Sequence, residues 1–227
     1  YSMPEEKKAA FINNANYNPE DYNNADDVMP TTGANNGLTL TDMRGLAYDD
    51  EQWDLLLDQL TVPDMDSLIA YGGYSTAAVS SVGKPQTTDC DGPASINNNF
   101  TGKASIGFPA ATMIAATWNV DLAQAFGAAI GKMADEMGVS GWYAPAMNIH
   151  RSAFAGRNFE YYSEDGLMSG KMAAAAVAGA EEYGVYSYIK HFALNDQETN
   201  RCGMVCTWSG EQAIREIYLK PFELAVK

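Results

Sequence analysis

The run Val185-Tyr186-Ser187-Tyr188-Ile189-Lys190-His191-Phe192-Ala193-Leu194-Asn195-Asp196-Gln197-Glu198-Thr199-Asn200-Arg201 decides the fold. It opens with β-branched and aromatic residues, the composition of a strand. It then turns abruptly polar at Lys190-His191 and, after Phe192-Ala193-Leu194, is polar from Asn195 to Arg201. Just before it, Gly184 closes an Ala-rich stretch, roughly 166–183, that follows Glu164-Asp165 and reads as a helix. A helix running into a buried strand that ends in charge is the repeating half of a parallel βα unit.

Working back, the same alternation recurs. Gly141 to Met147 reads as a strand and is followed by Asn148-Ile149-His150-Arg151. Asp121 opens a helix that places Leu122, Phe126, Ile130, Met133 and Met137 on one face, and Gly138 closes it. Ala110 to Trp118 reads as a strand, and residues 86–90 as another, ending in Asp91-Gly92-Pro93. Earlier still, Thr61-Val62-Pro63 opens a short helix that Gly72-Gly73 ends. Asp49-Asp50 opens one with Trp53, Leu56, Leu57 and Leu60 as its stripe. Residues 1–45, rich in Asn, Asp and Tyr, show no apolar period and read as an irregular arm or interdomain linker. Working forward, a last helix runs from about Gly210 to Lys227, with Ile214, Ile217, Tyr218 and Leu224 or Ala225 inward.

The expected fold class is therefore α/β: about the first half of a (β/α)8 TIM-like barrel over residues 46–227, preceded by the arm. Four strands cannot close an eight-stranded barrel, so on pattern alone the chain looks incomplete. No G-x-G-x-x-G turn follows a strand, so a dinucleotide site has no support.

Composition narrows the partners. The chain has 227 residues and 46% apolar content, enough for a core, with a formal charge of −15. Such a surface repels phosphates, so nucleic acid is a poor partner, while a neutral sugar is compatible with it. No apolar run approaches the roughly 18 residues a bilayer span needs. No signal segment opens the sequence, and both a cytoplasmic and a secreted location stay open. Three cysteines, Cys90, Cys202 and Cys206, are too few for a disulfide scaffold, and their spacing is not that of a zinc site. Ordinary thiols are the first expectation, with a local bridge or a reactive thiol behind it. No metal or cofactor is called for.

Barrel chemistry gathers at the C-terminal ends of strands. Those ends carry Asp91, then His150, Arg151 and Arg157, then Lys190, His191 and Arg201. Both histidines of the chain fall there. A polyhydroxylated ligand needs such donors with carboxylates as acceptors. Tyr161, Tyr162, Trp118 and Trp142 are candidates to face a sugar ring. Each polar residue also has a plainer reading. Lys190-His191 could be a buried pair, Asp91 a turn residue, and Arg151 a loop anchor on a carboxylate such as Glu164. Glu160, Glu164 and Glu198 are more often scaffold than catalyst.

Lys190-His191-Phe192 through Asn195-Asp196-Gln197-Glu198 and Arg201 resembles the KHF…N-[DE]-Q-E…R signature of glycoside hydrolase family 3, β-glucosidase type. Asp91-Gly92-Pro93-Ala94, Phe108-Pro109-Ala110-Ala111, and Asn148 to Arg151 through Gly156 to Asp165 agree in order and spacing, so the likeness covers about residues 40–227. The resemblance implies retaining hydrolysis of terminal β-D-glucosyl residues by two carboxylates. It implies that Asp91, Arg157, Lys190 and His191 hold the sugar hydroxyls, with Arg201 a weaker addition. It places the nucleophile, an Asp, after Lys227, and the acid/base, usually a Glu, on a neighbouring αβ sandwich domain. No catalytic carboxylate is therefore expected in this chain. The expected partners are a β-glucoside or oligosaccharide and the remainder of the same enzyme, in the same chain or as a second one. A non-catalytic sugar-binding relative and a β-xylosidase-like activity are the alternatives. Many relatives place an Arg soon after Asp-Gly-Pro, where this chain has Ala94-Ser95-Ile96-Asn97-Asn98-Asn99. Ala193-Leu194-Asn195 stands where the N-acetylglucosaminidase branch has a KHFPGHG-type loop. The arm and Leu40-Thr41-Asp42-Met43 resemble members in which the sandwich precedes the barrel.

Overall fold

In the computed structural model, which describes residues 3–9, 18–203 and 205–227, the long-range order rests on a small sheet with helices on one face. The arm holds helix α1 (Glu5–Lys8) and 3-10 turns at Pro19–Tyr22 and Leu40–Met43. Its residues 1–2 and 10–17 lie outside the described residues, as does Met204. Helix α2 (Gln52–Leu57) and helix α3 (Val62–Ala70) follow. Thr61 and Asp64 close a capping box at the start of α3, as the Thr-x-x-Asp spacing allows. Met43, Leu56, Val79 and Val82 form a small core of their own, with Trp53 and Leu60 against it. Leu57 is exposed instead of completing the stripe, because the helix ends there.

Strand β1 (Ser75–Thr76) pairs antiparallel with β2 (Thr87–Cys90). The hairpin of β3 (Asn97–Asn98) and β4 (Lys103–Ala104) follows the Asp-Gly-Pro turn. Helix α4 (Ala111–Ala116) and helix α5 (Val120–Glu136) lead to β5 (Gly141–Trp142), and α6 (Gly166–Glu181) leads to β6 (Tyr186–Ser187). Strands β2, β5 and β6 are parallel neighbours, with Cys90, Trp142 and Ser187 in register. Parallel strands joined through helices are the building unit of the barrel. Past Trp142 the pairing resumes where Ala146 bridges Lys190, beyond Pro145, which has no N–H to give.

Three expectations need correction. Ala110 to Trp118 is not a strand. Its buried residues Ala111, Ile114 and Ala115 recur at helical spacing, and alanine favours that state. In α5 Phe126 and Ile130 are buried and Met133 and Met137 pack against the same core, but Leu122 is exposed, and Ala123, Gly127, Gly131 and Ala134 complete the buried face. Small residues face inward because α6 comes very close: a Cβ on Gly127 would lie 2.0 Å from the Ala176 carbonyl oxygen. The last helix is α7 (Glu211–Ala213), a π turn at Ile214–Tyr218 and α8 (Lys220–Val226). The wide turn, closed by Leu219 N to Ile214 O at 2.8 Å, shifts the helical phase. Pro221 and Phe222 become the buried residues and Ile217 is exposed.

The main core lies between sheet and helices and includes Cys90, Phe126, Ile130, Trp142, Met172 and Phe222. Among the described residues no helix is long and apolar enough to cross a membrane.

Candidate functional site

Strand alternation sends Cys90 and Trp142 into the core and turns Asp89, Gly141, Tyr186 and Tyr188 to the opposite face of the sheet. The side chains of Asp91 and Lys190, at the ends of β2 and β6, meet. Lys190 Nζ donates to Asp91 Oδ1 at 2.5 Å. The Gly92 N–H donates to the same oxygen at 2.8 Å, and the Tyr74 hydroxyl to Oδ2 at 3.4 Å. Burial opposes the charged carboxyl of Asp91, but Lys190, the Gly92 amide and Tyr74 outweigh it and hold its pKa below the usual range. Trp142 steadies the turn from behind, its indole N–H donating to Gly92 O at 2.8 Å.

A second cluster forms on Arg157. Its Nε pairs with Glu160, which is buried. Nη1 reaches Glu198 Oε1 at 3.3 Å, and Nη2 lies 2.9 Å from His191 Nε2. A guanidinium has five N–H groups. Three are used here, which leaves two without a partner among the described residues. Arg201 Nε shares Glu198, at 2.7 Å from Oε2, and is half exposed. Burial, then the charges of Arg157 and Lys190, push the His191 pKa down to about 3, so the ring is neutral at pH 7.

The two clusters are tied together through the Lys190-His191 main chain. Asn148, buried at the end of β5, holds the His191 peptide from both sides. Its Nδ2 donates to His191 O at 2.9 Å, and its Oδ1 accepts from His191 N at 2.7 Å. Asn148 was visible in the sequence only as part of a polar segment. Its partner stands 43 residues away, and no local spacing signals such a clamp.

The structure thus gathers Asp91, Arg157, Lys190, His191 and Arg201 around two linked clusters. It separates others. Arg151 pairs with Asp196, not Glu164, and lies over the Tyr218 ring at 5.8 Å, beside a cavity of about 280 Å3 that Trp208 also lines. His150 Nε2 lies at 2.9 and 3.0 Å from the Asn158 and Tyr161 carbonyls, tying down its loop. Trp142, Tyr161 and Tyr162 are buried and present no face to a ligand, because their strand and loop turn them into the core. Trp118 is exposed, at a left-handed φ of 55°. Cys90 is buried, Cys202 and Cys206 are exposed, and all three are free thiols.

What the arrangement can do is hold hydroxyls. It offers a carboxylate beside an ammonium, a clamped guanidinium with spare donors and a neutral imidazole. Residues 92–227 match the Glycosyl hydrolase family 3 N terminal domain. The chain is 42% identical to Beta-glucosidase A of Butyrivibrio fibrisolvens over 191 residues, which is 84% of this chain and 22% of that protein. It is 40% identical to beta-glucosidase 3B from Thermotoga neapolitana in complex with alpha-D-glucose, with a TM-score of 0.68 over 78% of this chain and 28% of that one. It also superposes on a beta-glucosidase from Paenibacillus barengoltzii with a TM-score of 0.72 and 32% identity, over 88% and 23% of the two chains. The chain therefore spans under a third of the length of these relatives.

Proposed function

The chain belongs to glycosyl hydrolase family 3, and from that premise we propose that it supplies the sugar-binding part of the active site of a retaining β-glucosidase. The substrate is a β-glucoside or oligosaccharide cut at its non-reducing terminal β-D-glucosyl residue. Residues 1–45 are an arm or linker, and residues 46–227 the N-terminal part of the catalytic barrel.

One observation carries this reading. Asp91 and Lys190 pair across the strand ends, next to an Arg157 that three acceptors fix while two of its N–H groups have no partner among the described residues. Fixed donors of this kind are cheap to use, because their ordering cost is met on folding and not on binding. In the proposed roles, Asp91 accepts from sugar hydroxyls, while Lys190 and Arg157 donate. His191 is not a proton shuttle, since a ring held neutral down to about pH 3 has no proton to lend at neutral pH. Retaining chemistry needs two carboxyls about 5–5.5 Å apart. The family resemblance assigns both outside these 227 residues, and Asp91, Glu160 and Glu198, each bound to a cation, fit binding and scaffold roles.

The test is hydrolysis of nitrophenyl glycosides by the full-length enzyme. The β-glucoside should be the best substrate of a panel that includes the β-xyloside, with the anomeric configuration of the first product retained. Binding of glucose without turnover of any glycoside would favour the non-catalytic alternative.

A further inference from the structure

His191 has a hydrogen-bond partner at each ring nitrogen. Arg157 Nη2, at 2.9 Å from Nε2, can only donate. Nε2 must therefore be an acceptor, and the ring proton sits on Nδ1. That nitrogen lies 3.1 Å from the Tyr161 hydroxyl oxygen. The hydroxyl has one proton, and it points to the Asn195 carbonyl at 2.7 Å. Every donor then has one acceptor along the line Arg157, His191, Tyr161, Asn195. The opposite tautomer sets two N–H groups against each other at Nε2 and leaves Nδ1 facing a hydroxyl whose proton is already used. Tyr161 is fully buried, at 0% exposure, and touches the ring edge-on with centroids 5.9 Å apart. It cannot meet a ligand itself.

We propose, on the sugar-site reading above, that Tyr161 is a positioning residue: it accepts from the Nδ1–H of the neutral His191 ring, keeps the Nε2 lone pair turned to Arg157, and so holds Arg157 in its binding pose. The Nε2 lone pair is the third acceptor on Arg157, beside Glu160 and Glu198. It is the only uncharged one, so its strength depends on which nitrogen carries the proton. Without Tyr161 the Nδ1–H loses its acceptor in a partly buried site. The ring is then anchored at Nε2 alone, and nothing on its other side keeps the Nε2 lone pair turned to Arg157.

The test uses the full-length enzyme carrying 15N-labelled histidine, with the His191 resonances assigned by their loss in His191→Asn. In the wild type at pH 7, Nδ1 should be pyrrole-type and Nε2 pyridine-type. Tyr161→Phe should leave Nε2 pyridine-type and move the Nδ1–H proton resonance upfield, as that proton loses its acceptor. It should also lower kcat/KM for a nitrophenyl β-glucoside about tenfold to a hundredfold, the range of a lost hydrogen bond to a charged group. Both changes together support the proposal. A wild-type His191 protonated at Nε2 overturns it, as does a Tyr161→Phe enzyme that keeps either its Nδ1–H resonance or its kcat/KM. If Tyr161→Phe does not fold, the wild-type spectrum decides: an Nδ1–H resonance where an imidazole N–H without an acceptor falls overturns the proposal, and one shifted downfield by a hydrogen bond supports it. The spectrum needs no turnover, so an enzyme inactive on every glycoside would fail the functional reading and leave the tautomer result standing.

Discussion

Arg151 and Arg157 stand in one loop and carry the same charge, yet they do different work. Arg151 is 55% exposed, and Arg157 20%. Arg151 meets one carboxylate, Asp196, and lies over the ring of Tyr218. Arg157 meets Glu160, Glu198 and His191. The first geometry ties the loop after β5 to the segment that leads into α7. The second aims a guanidinium, fixed on three sides, at the strand-end cluster. Residue type and chain position do not separate the two. The number of acceptors brought in by other segments does.

Four predictions bear on this contrast, all for the full-length enzyme. Arg157→Ala should have the largest effect. It should lower kcat/KM by about 3 kcal/mol or more, as several charged hydrogen bonds vanish. It should also destabilise the fold, because it leaves the buried Glu160 carboxylate without its cation, at a cost of about 3–5 kcal/mol. Urea unfolding beside steady-state kinetics separates the two effects. Adding Glu160→Gln should recover part of the stability and little of the activity.

Lys190→Ala comes next, with about 1.5–3 kcal/mol lost from kcat/KM. Its partner Asp91 is 40% exposed, so water takes up part of the freed charge and the unfolding midpoint should move less than with Arg157→Ala. An equal loss of stability in the two variants would erase the proposed difference between a half-open pair and a closed one.

The third prediction is a pH effect. The unfolded His191 takes up a proton near its ordinary pKa of 6.5, while the folded ring resists it down to about 3. Between those values the unfolded state binds more protons. The stability His191 contributes is therefore whole above about pH 6.5 and is lost as pH falls towards 3. Unfolding midpoints at pH 7 and pH 5 should differ less in His191→Asn than in the wild type. An unchanged difference would mean that the ring titrates normally.

Arg151→Ala should have the smallest effect on activity. Its partner Asp196 is buried like Glu160, so losing the cation should lower stability, by less than Arg157→Ala because Arg151 itself is half exposed and lets water reach the carboxylate, while kcat/KM should stay near wild type. A large loss of activity would make Arg151 part of the site and the contrast false.

How much of this was legible follows from the range of the interactions. The Thr61 and Asp165 caps and the closing Gly138 and Gly184 are local, and their helices end where the spacing says. The ends of β2 and β6 marked Asp91 and Lys190, because a charge that stops a strand is visible in the chain itself. The run from Ala110 to Trp118 is short and apolar and holds Thr112, Ile114, Thr117 and Trp118, so its composition suits a strand as well as the helix its alanines form. The phase of the last helix was lost to a π turn that no residue announces. On α5 only Leu122 was misplaced, because apolar bulk was counted, whereas the close approach of α6 selects glycine and alanine for part of the buried face. Asn148 and Tyr161 act on His191 from 43 and 30 residues away, through hydrogen bonds that only the folded chain reveals.

The central claim is that the two clusters hold one sugar. A crystal structure of the full-length enzyme with glucose bound tests it most directly. The account predicts the ring among Asp91, Lys190 and Arg157, with hydroxyls within hydrogen-bond distance of the Asp91 carboxylate and of the guanidinium nitrogens that bear its free N–H groups. Glucose bound elsewhere, with Arg157 and Lys190 touching only their carboxylates, would contradict it.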